Sequence, residues 1–536
     1  MRRLLAATTA AALTLGVLAA APAPGLPTGS AAGATSRTAT TTVLLSGHTV
    51  TDSQITSFDG TRITYTLFKP ASASAETPVP MVLHSHGWGG SRTRTGFTAW
   101  LDAGFGVLSF DQRGFGESGG QANVQDPEFE AQDVKALIDL IASLDWVAKD
   151  VDAATGEVDP TDPKLGAIGA SYGGGYQLVT ALTELRESGE TRFDVLAPEI
   201  TWYDLPESLA PQKVVRTAWA SLLFAAGVRA LPDYVRQAFA FGAATGQWPD
   251  GTGAAAAVPN LDAEFHEHGP VAFVEDGIQL DLPVLFLQGT SDNLFNLNQA
   301  VDNFQRTLTP EARDRSFLVA YNGGHALPNV APLGFATGGD ACSGPGGYAA
   351  LTREFFRRVF AGEDTSTLLP ARYNLTEARG ATCVRTDRID RNTLVRAGID
   401  VTVTSGAATT TGAGAAQYLP LTDGTAIRVA GVPTLSAKVT SVGVEQRVFL
   451  ALAVGTSPAN AQVVQNNTMP LRKVLPVVQE ATTVELPGVV VDVPAGQTLY
   501  LVVSPLSDMY AGHGSTRTPG LLGLEDIRVS LPVQGG

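Results

Sequence analysis

Five apolar runs in the first 370 residues each end in a turn that contains glycine, and this repeat constrains the fold most strongly. The runs are VPMVLHSHG (79–87), GFGVLSFDQRGFG (104–116), KLGAIGAS (164–171), LPVLFLQGTSD (282–292) and SFLVAYNGGH (316–325). Segments in which apolar residues recur at helical spacing alternate with the first of these runs. Such an alternation of strands and helices predicts a mostly parallel sheet with helices on both faces.

The rest of the chain predicts two additions to this sheet. Residues 205–270 are rich in alanine, leucine and aromatic side chains, which predicts a helical cap inserted before the sheet resumes. Residues 371–536 consist of short alternating runs bounded by glycine and proline, which predicts an antiparallel β-sandwich. Because a single core stops growing near ~250–300 residues, we expect a catalytic domain over 43–370 and the sandwich as a second domain.

The first 34 residues are expected to be an export signal followed by a leader. Arg2 and Arg3 precede an apolar stretch from Leu4 to Ala21, and small residues and prolines follow. A membrane anchor is the alternative interpretation, but threonines interrupt the stretch and its length is marginal for a bilayer. We therefore expect a secreted protein without stable membrane association after the signal is removed.

The net charge narrows the range of binding partners, and the cysteines and histidines bear on disulfide and metal sites. The formal net charge of −16 argues against nucleic acid and anionic membranes. In an oxidising compartment, Cys342 and Cys383 are expected to form a disulfide between the end of the first domain and the start of the second, with two free thiols as the alternative. His266 and His268 in FHEHG are interpreted as part of a surface loop, and we expect neither a metal nor another cofactor.

A serine stands at one of the glycine turns, in GASYGGG (169–175). Gly169 and Gly173 flank Ser171 in the Gly-x-Ser-x-Gly pattern, which holds a serine on a strained strand-to-helix turn above a sheet. A serine hydroxyl is a weak nucleophile at neutral pH. It needs a base, an acid that orients the base, and hydrogen-bond donors for the oxyanion.

Candidates for the acid and the base follow two later predicted strands. Asp292 stands just past the run LPVLFLQ, and His325 stands in YNGGH. His513 is a weaker rival for the base, because it falls in the predicted sandwich. Since the carboxyl ends of parallel strands meet at one edge of a sheet, we expect Asp292 and His325 to lie near Ser171.

Two main-chain amides are the candidates for the oxyanion hole. The amide of Tyr172 lies at the predicted start of a helix directly after Ser171. The loop HSHGWGG supplies the second donor, which is expected to be the amide of Trp88, with Gly89 as the alternative.

Residues beside the predicted cap are the candidates for contact with substrate. Trp202 and Tyr203 are expected either to line a pocket or to pack in the core. A substrate with a free amino terminus needs an anionic anchor, for which Glu199, Asp204 and Glu207 are candidates.

Several of these motifs together resemble one known family. The X-prolyl dipeptidyl peptidase and cocaine-esterase group of α/β-hydrolases is similar over about residues 50–535, in HSHGWGG, DQRGFGESGG, GASYGGG, QGTSDNLF and NGGH. The resemblance implies an α/β-hydrolase domain with a helical cap, a C-terminal jelly-roll domain beside the active site, and Ser171, Asp292 and His325 as the triad. Members of that group use a tyrosine hydroxyl in the oxyanion hole. The loop HGWGGS has no tyrosine, so the amide of Trp88 is expected to replace it.

The expected function is that of a secreted serine hydrolase that cleaves an ester or the amide of a short peptide through an acyl-enzyme. The alternative is an inactive protein with a hydrolase fold, whose β-sandwich recognises carbohydrate or polymer. A fluorophosphonate probe separates the two, because it labels only an active serine.

Overall fold

The computed structural model describes most of the chain after the leader: residues 40–44, 46–151, 155–327, 337–387, 389, 397–402, 407–410, 414–510 and 520–534. The predicted signal and leader (1–34) and His513 lie outside these residues. Within the described ranges, no helix is both long enough and apolar enough to cross a membrane.

A large mixed sheet of eleven strands forms the centre of the first part of the chain. The strands up to residue 386 are β1 (Thr40–Val43), β2 (Thr49–Thr56), β3 (Arg62–Lys69), β4 (Met81–Ser85), β5 (Gly106–Phe110), β6 (Lys149–Val151), β7 (Val158–Pro163), β8 (Leu165–Ala170), β9 (Val195–Glu199), β10 (Leu285–Gly289), β11 (Phe317–Tyr321), β12 (Tyr373–Thr376) and β13 (Cys383–Thr386). A separate hairpin consists of β6 and β7, and the sheet order is β1-β2-β3-β5-β4-β8-β9-β10-β11-β12-β13. Pairing is parallel from β5 across to β12, as the sequence predicted, and antiparallel at both edges.

The direction of winding reverses between β4 and β8. Strand β4 pairs with β5 on one side and with β8 on the other. In open α/β sheets, ligands bind at the carboxyl ends of the strands where the winding reverses. The turns after β4 and β8, which carry Trp88 and Ser171, lie at this position.

Helices cover the sheet and form an insertion between β9 and β10. The α-helices within the described residues are α1 (Thr98–Leu101), α2 (Glu130–Ala142), α3 (Tyr172–Ser188), α4 (Leu205–Leu209), α5 (Thr217–Gly227), α6 (Asp233–Thr245), α7 (Leu261–His266), α8 (Pro270–Glu275), α9 (Leu297–Asp302), α10 (Pro310–Asp314) and α11 (Gly347–Phe360). Shorter 3₁₀ turns and one π turn (Asn303–Thr307) connect some of them. The four helices α4 to α7 lie within the segment 205–270, for which the sequence predicted a helical cap, and α8 begins at the last residue of this segment.

The strands after residue 390 form two antiparallel sheets. They are β14 (Ala397–Thr402), β15 (Ala407–Thr410), β16 (Gln417–Pro420), β17 (Ile427–Gly431), β18 (Thr434–Val442), β19 (Gln446–Gly455), β20 (Gln462–Val463), β21 (Met469–Lys473), β22 (Val477–Glu485), β23 (Val489–Val493), β24 (Thr498–Ser504) and β25 (Leu521–Gln534). One sheet has the order β22-β18-β25-β17-β23, with β14 and β15 also paired to β25. The other has the order β16-β24-β19-β20, with β21 paired to β19. Valine, leucine and isoleucine side chains of both sheets share one buried core, so the region is a β-sandwich, whereas its jelly-roll connectivity stays a prediction.

A disulfide joins Cys342 to Cys383, as the sequence predicted. Cys383 begins β13, which is an edge strand of the large sheet, and Cys342 lies in the segment before α11. Strands β12 and β13 therefore extend the large sheet although they follow residue 371. The limits of the two domains stay a prediction.

Candidate active site

Ser171 occupies a sharp turn between β8 and α3. Its φ of 59° and ψ of −119° are backbone angles that residues with a side chain rarely adopt. The amide of Ser171 donates to the carbonyl of Glu199 (2.8 Å), and the amide of Gly174 donates to the carbonyl of Ser171 (2.8 Å). A β-carbon at Gly169 or Gly173 would lie only 2.4 or 2.5 Å from a main-chain oxygen. Both glycines of the pattern are therefore sterically required.

Asp292 and His325 follow the neighbouring strands β10 and β11. The carboxylate of Asp292 is fully buried, and its Oδ1 accepts hydrogen bonds from the amides of Leu294 (2.9 Å) and Phe295 (2.8 Å). Its Oδ2 lies 2.5 Å from Nδ1 of His325. Because an ionised carboxylate can only accept, Nδ1 of His325 is the donor and Nε2 keeps its lone pair. This is the tautomer that a general base needs.

The surroundings of His325 favour its protonated form. Two aromatic rings contact the imidazole edge to face, with centroids 5.9 Å away for Trp219 and 5.3 Å away for Phe295. Burial alone lowers the pKa of His325, but the negative charges of Asp292 and Glu199 outweigh burial and raise this pKa above its ordinary value of 6.5. Proton uptake by His325 during a reaction is therefore stabilised by two carboxylates.

Glu199 ends β9 beneath this site. Burial is the main cause that raises the pKa of its carboxyl group, and the hydroxyl of Tyr321 donates to its Oε1 at 2.8 Å. Its main-chain carbonyl holds the amide of Ser171. Glu199 thus contacts the turn that carries the serine and acts electrostatically on His325, two roles that the sequence did not reveal.

The loop after β4 approaches the serine closely. A β-carbon at Gly87 would lie 3.7 Å from Cβ of Ser171, which places the main chain next to Trp88 beside the turn that carries Ser171. Tyr172 is the first residue of α3, so its amide lies at the positive end of the helix. Both predicted oxyanion donors are therefore on segments that border Ser171.

The indole of Trp88 ties this loop to the cap. Its ring packs edge to face against Phe115 and Tyr172, with both centroid distances at 4.9 Å. Its Nε1 donates to the carbonyl of Leu223 in α5 at 2.8 Å. The position of the loop is thereby coupled to the position of the cap.

An apolar cavity of about 160 Å³ opens beside Ser171 under the cap helices. Its lining is aromatic and aliphatic, and includes Trp88, Tyr172, Trp202, Phe224, Phe239 and Phe295. Among the described residues, no Asp, Glu, Lys, Arg or His lines it. Phe295, which lines the cavity with Ser171, also contacts the imidazole of His325.

Only one of the three predicted pocket residues lines this cavity. Trp202 does, and its indole Nε1 donates to the carbonyl of His268 at 2.8 Å. Tyr203 and Asp204 are instead held at their amides by Oε1 of Gln299, at 2.9 and 2.8 Å. The side chain of Asp204 caps α4 by accepting from the amide of Glu207 at 2.9 Å, which accounts for its position away from the cavity.

The sandwich contacts the segments that carry Asp292 and His325, a relationship that the sequence did not reveal. Nδ2 of Asn467 donates to the carbonyl of Asp292 at 3.0 Å, and Nδ2 of Asn293 donates to the carbonyl of Asn466 at 3.3 Å. Nδ2 of Asn466 also donates to the carbonyl of Leu327, two residues past His325. Asn466-Asn467-Thr468 reads as a glycosylation sequon, but Asn466 is only 5% exposed. The polar triplet directly before β21 was the available signal.

Comparison with known proteins agrees with this fold. The family model for X-Pro dipeptidyl-peptidase (S15 family) matches residues 59–326, a range that ends one residue past His325. The quorum-quenching protein AidA of Acinetobacter baumannii (strain MDR-ZJ06) is 34% identical over 125 residues, which are 22% of this chain and 36% of that protein. The chain thus matches about a third of the length of this curated relative.

Three solved structures share the overall fold. A CocE/NonD family hydrolase from Staphylococcus aureus has a TM-score of 0.62 at 13% identity, over 91% of this chain and 94% of that chain. An aminopeptidase from the marine sediment archaeon Thaumarchaeota archaeon has a TM-score of 0.64 at 13% identity, over 96% and 99%. An alpha-amino acid ester hydrolase has a TM-score of 0.60 at 14% identity, over 91% and 97%. The likeness therefore shows an α/β-hydrolase fold that continues into β-rich C-terminal sheets.

Proposed function

This chain belongs to the X-Pro dipeptidyl-peptidase (S15) family of hydrolases, and we propose that it is a serine hydrolase for small esters with an apolar part. In this proposal Ser171 is the nucleophile, His325 is the general base and Asp292 orients the base. The observation that carries it is the 2.5 Å contact between Asp292 and His325 beside an apolar cavity that Ser171 lines.

The reaction proceeds in two halves. Oγ of Ser171 attacks the ester carbonyl carbon while Nε2 of His325 takes the hydroxyl proton. The tetrahedral intermediate collapses, the carbon–oxygen bond to the alcohol breaks, and His325 returns the proton to the departing alkoxide. A water molecule then attacks the acyl-enzyme by the same route, releases the carboxylic acid and restores Ser171.

Main-chain amides and nearby carboxylates stabilise the charges that develop on the substrate and on His325 during the reaction. Negative charge on the carbonyl oxygen is met by the amides of Tyr172 and Trp88, and removal of one such donor costs about 10²–10³-fold in kcat. Positive charge on His325 is stabilised by Asp292 and Glu199, the two carboxylates that raise its pKa.

The cavity supports an apolar ester as substrate. A cavity of about 150 Å³ with apolar walls accommodates benzene, so the 160 Å³ beside Ser171 suits a phenyl ring or a short alkyl chain. A free ammonium group buried there would lack a carboxylate partner, which is costly. Glu199, Asp204 and Glu207 do not line the cavity.

The amide of a short X-Pro peptide is the second candidate substrate. The family match favours it, because that family is named for X-Pro dipeptidyl-peptidase activity. A proline ring is also apolar and of a size that the cavity admits. The ammonium group of such a peptide would have to lie outside the apolar cavity.

An inactive hydrolase fold whose sandwich recognises carbohydrate is the competing hypothesis. The strained backbone of Ser171 argues against it, since such strain persists mostly where function requires it.

We further propose that the chain is exported, on the basis of the charged and apolar N-terminal sequence. N-terminal sequencing of protein from the culture medium tests export.

A substrate panel tests the proposed activity. Among esters of one alcohol, we expect those whose acyl group carries a phenyl ring or a butyl chain (the phenyl and butyl esters) to be hydrolysed faster than acetyl esters. We expect Ala-Pro and Gly-Pro anilides to be poor substrates. Ser171→Ala is expected to lower kcat by roughly 10⁴-fold or more with an unchanged circular dichroism spectrum. Full ester hydrolysis by that variant would overturn the mechanism, and a preference for Ala-Pro anilide would overturn the substrate assignment alone.

A further inference from the structure

Three side chains with metal-binding chemistry converge between the cap and the sheet domain. Asp126 lies in the loop between β5 and α2, Glu264 lies in α7, and His268 lies between α7 and α8. Their ligand atoms all lie within 4.8 Å of one another. Nε2 of His268 is 3.8 Å from Oδ2 of Asp126 and 4.0 Å from Oε1 of Glu264. None of the three lines the cavity beside Ser171.

His268 is buried without a hydrogen bond from its Nε2 to either carboxylate. The side chain is only 3% exposed, and both distances exceed hydrogen-bonding range. The sequence interpretation of FHEHG as a surface loop is therefore wrong for His268, whereas His266 is partly exposed and pairs with Glu275 at 3.0 Å. A buried imidazole aimed between two carboxylates requires an explanation.

The polar atoms of this cluster are incompletely paired. Nδ1 of His268 is buried and has no hydrogen-bond partner within the described residues. Arg113, a neighbouring cation, is hydrogen-bonded to Asp133 and Asp59. A buried imidazole without a partner beside two carboxyl groups is an arrangement that suits a metal ion.

We propose that Asp126, Glu264 and His268 bind one divalent transition-metal ion of the Zn²⁺ type, which fastens the cap to the sheet domain. Bonds from zinc to nitrogen and oxygen are about 2.0–2.2 Å long, so one ion can contact atoms that lie 3.8 and 4.0 Å apart. The mixed imidazole and carboxylate set suits such ions better than Ca²⁺ or Mg²⁺. Glu264 is 46% exposed and is free to adjust.

The site is structural and independent of the proposed chemistry. The carbonyl of His268 holds the indole of Trp202 in the cavity wall, and Gln125, the neighbour of Asp126, donates to the carbonyl of Tyr172 at 3.0 Å. A bound ion would therefore stabilise both the cavity wall and the start of α3.

Metal titration of the full chain tests this site. Protein without a histidine tag, freed of metal with a chelator, is titrated with Zn²⁺ by calorimetry and melted with and without the ion. We expect one Zn²⁺ per chain and a rise in the melting temperature. Affinity should fall about 10-fold or more in Asp126→Asn and in His268→Gln, by the usual effect of losing groups at a metal site. The control His266→Gln removes the neighbouring exposed histidine and should bind like the parent chain.

A spectroscopic measurement covers the case in which a variant does not fold. The unmodified chain is titrated with Co²⁺, whose visible absorption reports nitrogen and oxygen ligation. We expect a band that saturates at one Co²⁺ per chain and disappears when Zn²⁺ is added. Absence of saturable binding to the folded parent chain, or loss of binding in His266→Gln with retention in His268→Gln, would overturn the proposal.

Discussion

Nδ2 of Asn467, a residue of the β-sandwich, donates a 3.0 Å hydrogen bond to the main-chain carbonyl of Asp292. Asp292 in turn places its Oδ2 2.5 Å from Nδ1 of His325. The buried amide of Asn467 thus connects the sandwich to the residue that contacts His325. Loss of that donor would leave the Asp292 carbonyl unpaired, at a cost of about 1–3 kcal/mol.

Asn467→Ala should therefore lower kcat. A displacement of about 1 Å at a catalytic group can cost ~10²-fold, and we expect a decrease of that order with little change in KM. Asn460→Ala, an exposed asparagine of the same sandwich, is the matched control. Steady-state kinetics and circular dichroism measure both variants. An unchanged kcat in Asn467→Ala would show that the sandwich does not position the acid.

The rate should depend on pH through His325. Neutral His325 accepts the serine proton, and its folded pKa lies above 6.5, so kcat/KM should fall as the pH drops through a midpoint above 6.5. Glu199→Gln removes one negative charge that stabilises the imidazolium, and should move this midpoint to lower pH. Glu207→Gln, which changes a partly buried glutamate of the cap that does not act on His325, is the control. A midpoint that Glu199→Gln leaves in place would contradict this electrostatic account.

The size of the cavity should decide which esters react. Ala220 in α5 lines the cavity, whereas Ala225 is exposed on the same helix and does not line it. Ala220→Phe should reduce kcat/KM for phenyl esters by roughly 10-fold or more, because misfit in an apolar pocket costs that much. The Ala220→Phe variant should hydrolyse acetyl esters nearly as fast as the parent chain does. The Ala225→Phe variant should hydrolyse both phenyl and acetyl esters nearly as fast as the parent chain does. Equal effects of the two variants on phenyl esters would place the substrate elsewhere.

The disulfide should contribute to stability rather than to catalysis. Cys342 and Cys383 are 41 residues apart in sequence, and removal of a native disulfide costs about 2–5 kcal/mol. Replacement of both with serine should lower the urea midpoint and leave kcat unchanged. The parent chain in reducing buffer is the matched comparison. A double variant as stable as the oxidised parent would contradict this expectation.

The parts predicted from sequence are those fixed by local patterns. The strands before Ser171, Asp292 and His325 each end in a short turn, and glycine is required at such turns because a β-carbon would clash, as at Gly169. Periodicity likewise indicated helices between the first strands, and composition indicated the sandwich. These signals act over a few residues and need no knowledge of the tertiary fold.

Long-range contacts account for what the sequence did not reveal. Asn467 is 175 positions from the residue whose carbonyl it binds. The burial of His268 and the placement of Tyr203 away from the cavity both depend on how the cap packs. Strands β12 and β13 join the large sheet because β12 pairs with β11, which composition does not show. Spacing along the chain contains none of this information.

Covalent labelling of Ser171 tests the central claim most directly. The chain is treated with a fluorophosphonate, digested and mapped by mass spectrometry, with Ser171→Ala as the control. The account predicts one phosphonyl adduct on the peptide that contains Ser171, loss of esterase activity in proportion to labelling, and no adduct in the variant. A folded, unmodified chain that hydrolyses esters and stays unlabelled at Ser171 would contradict it.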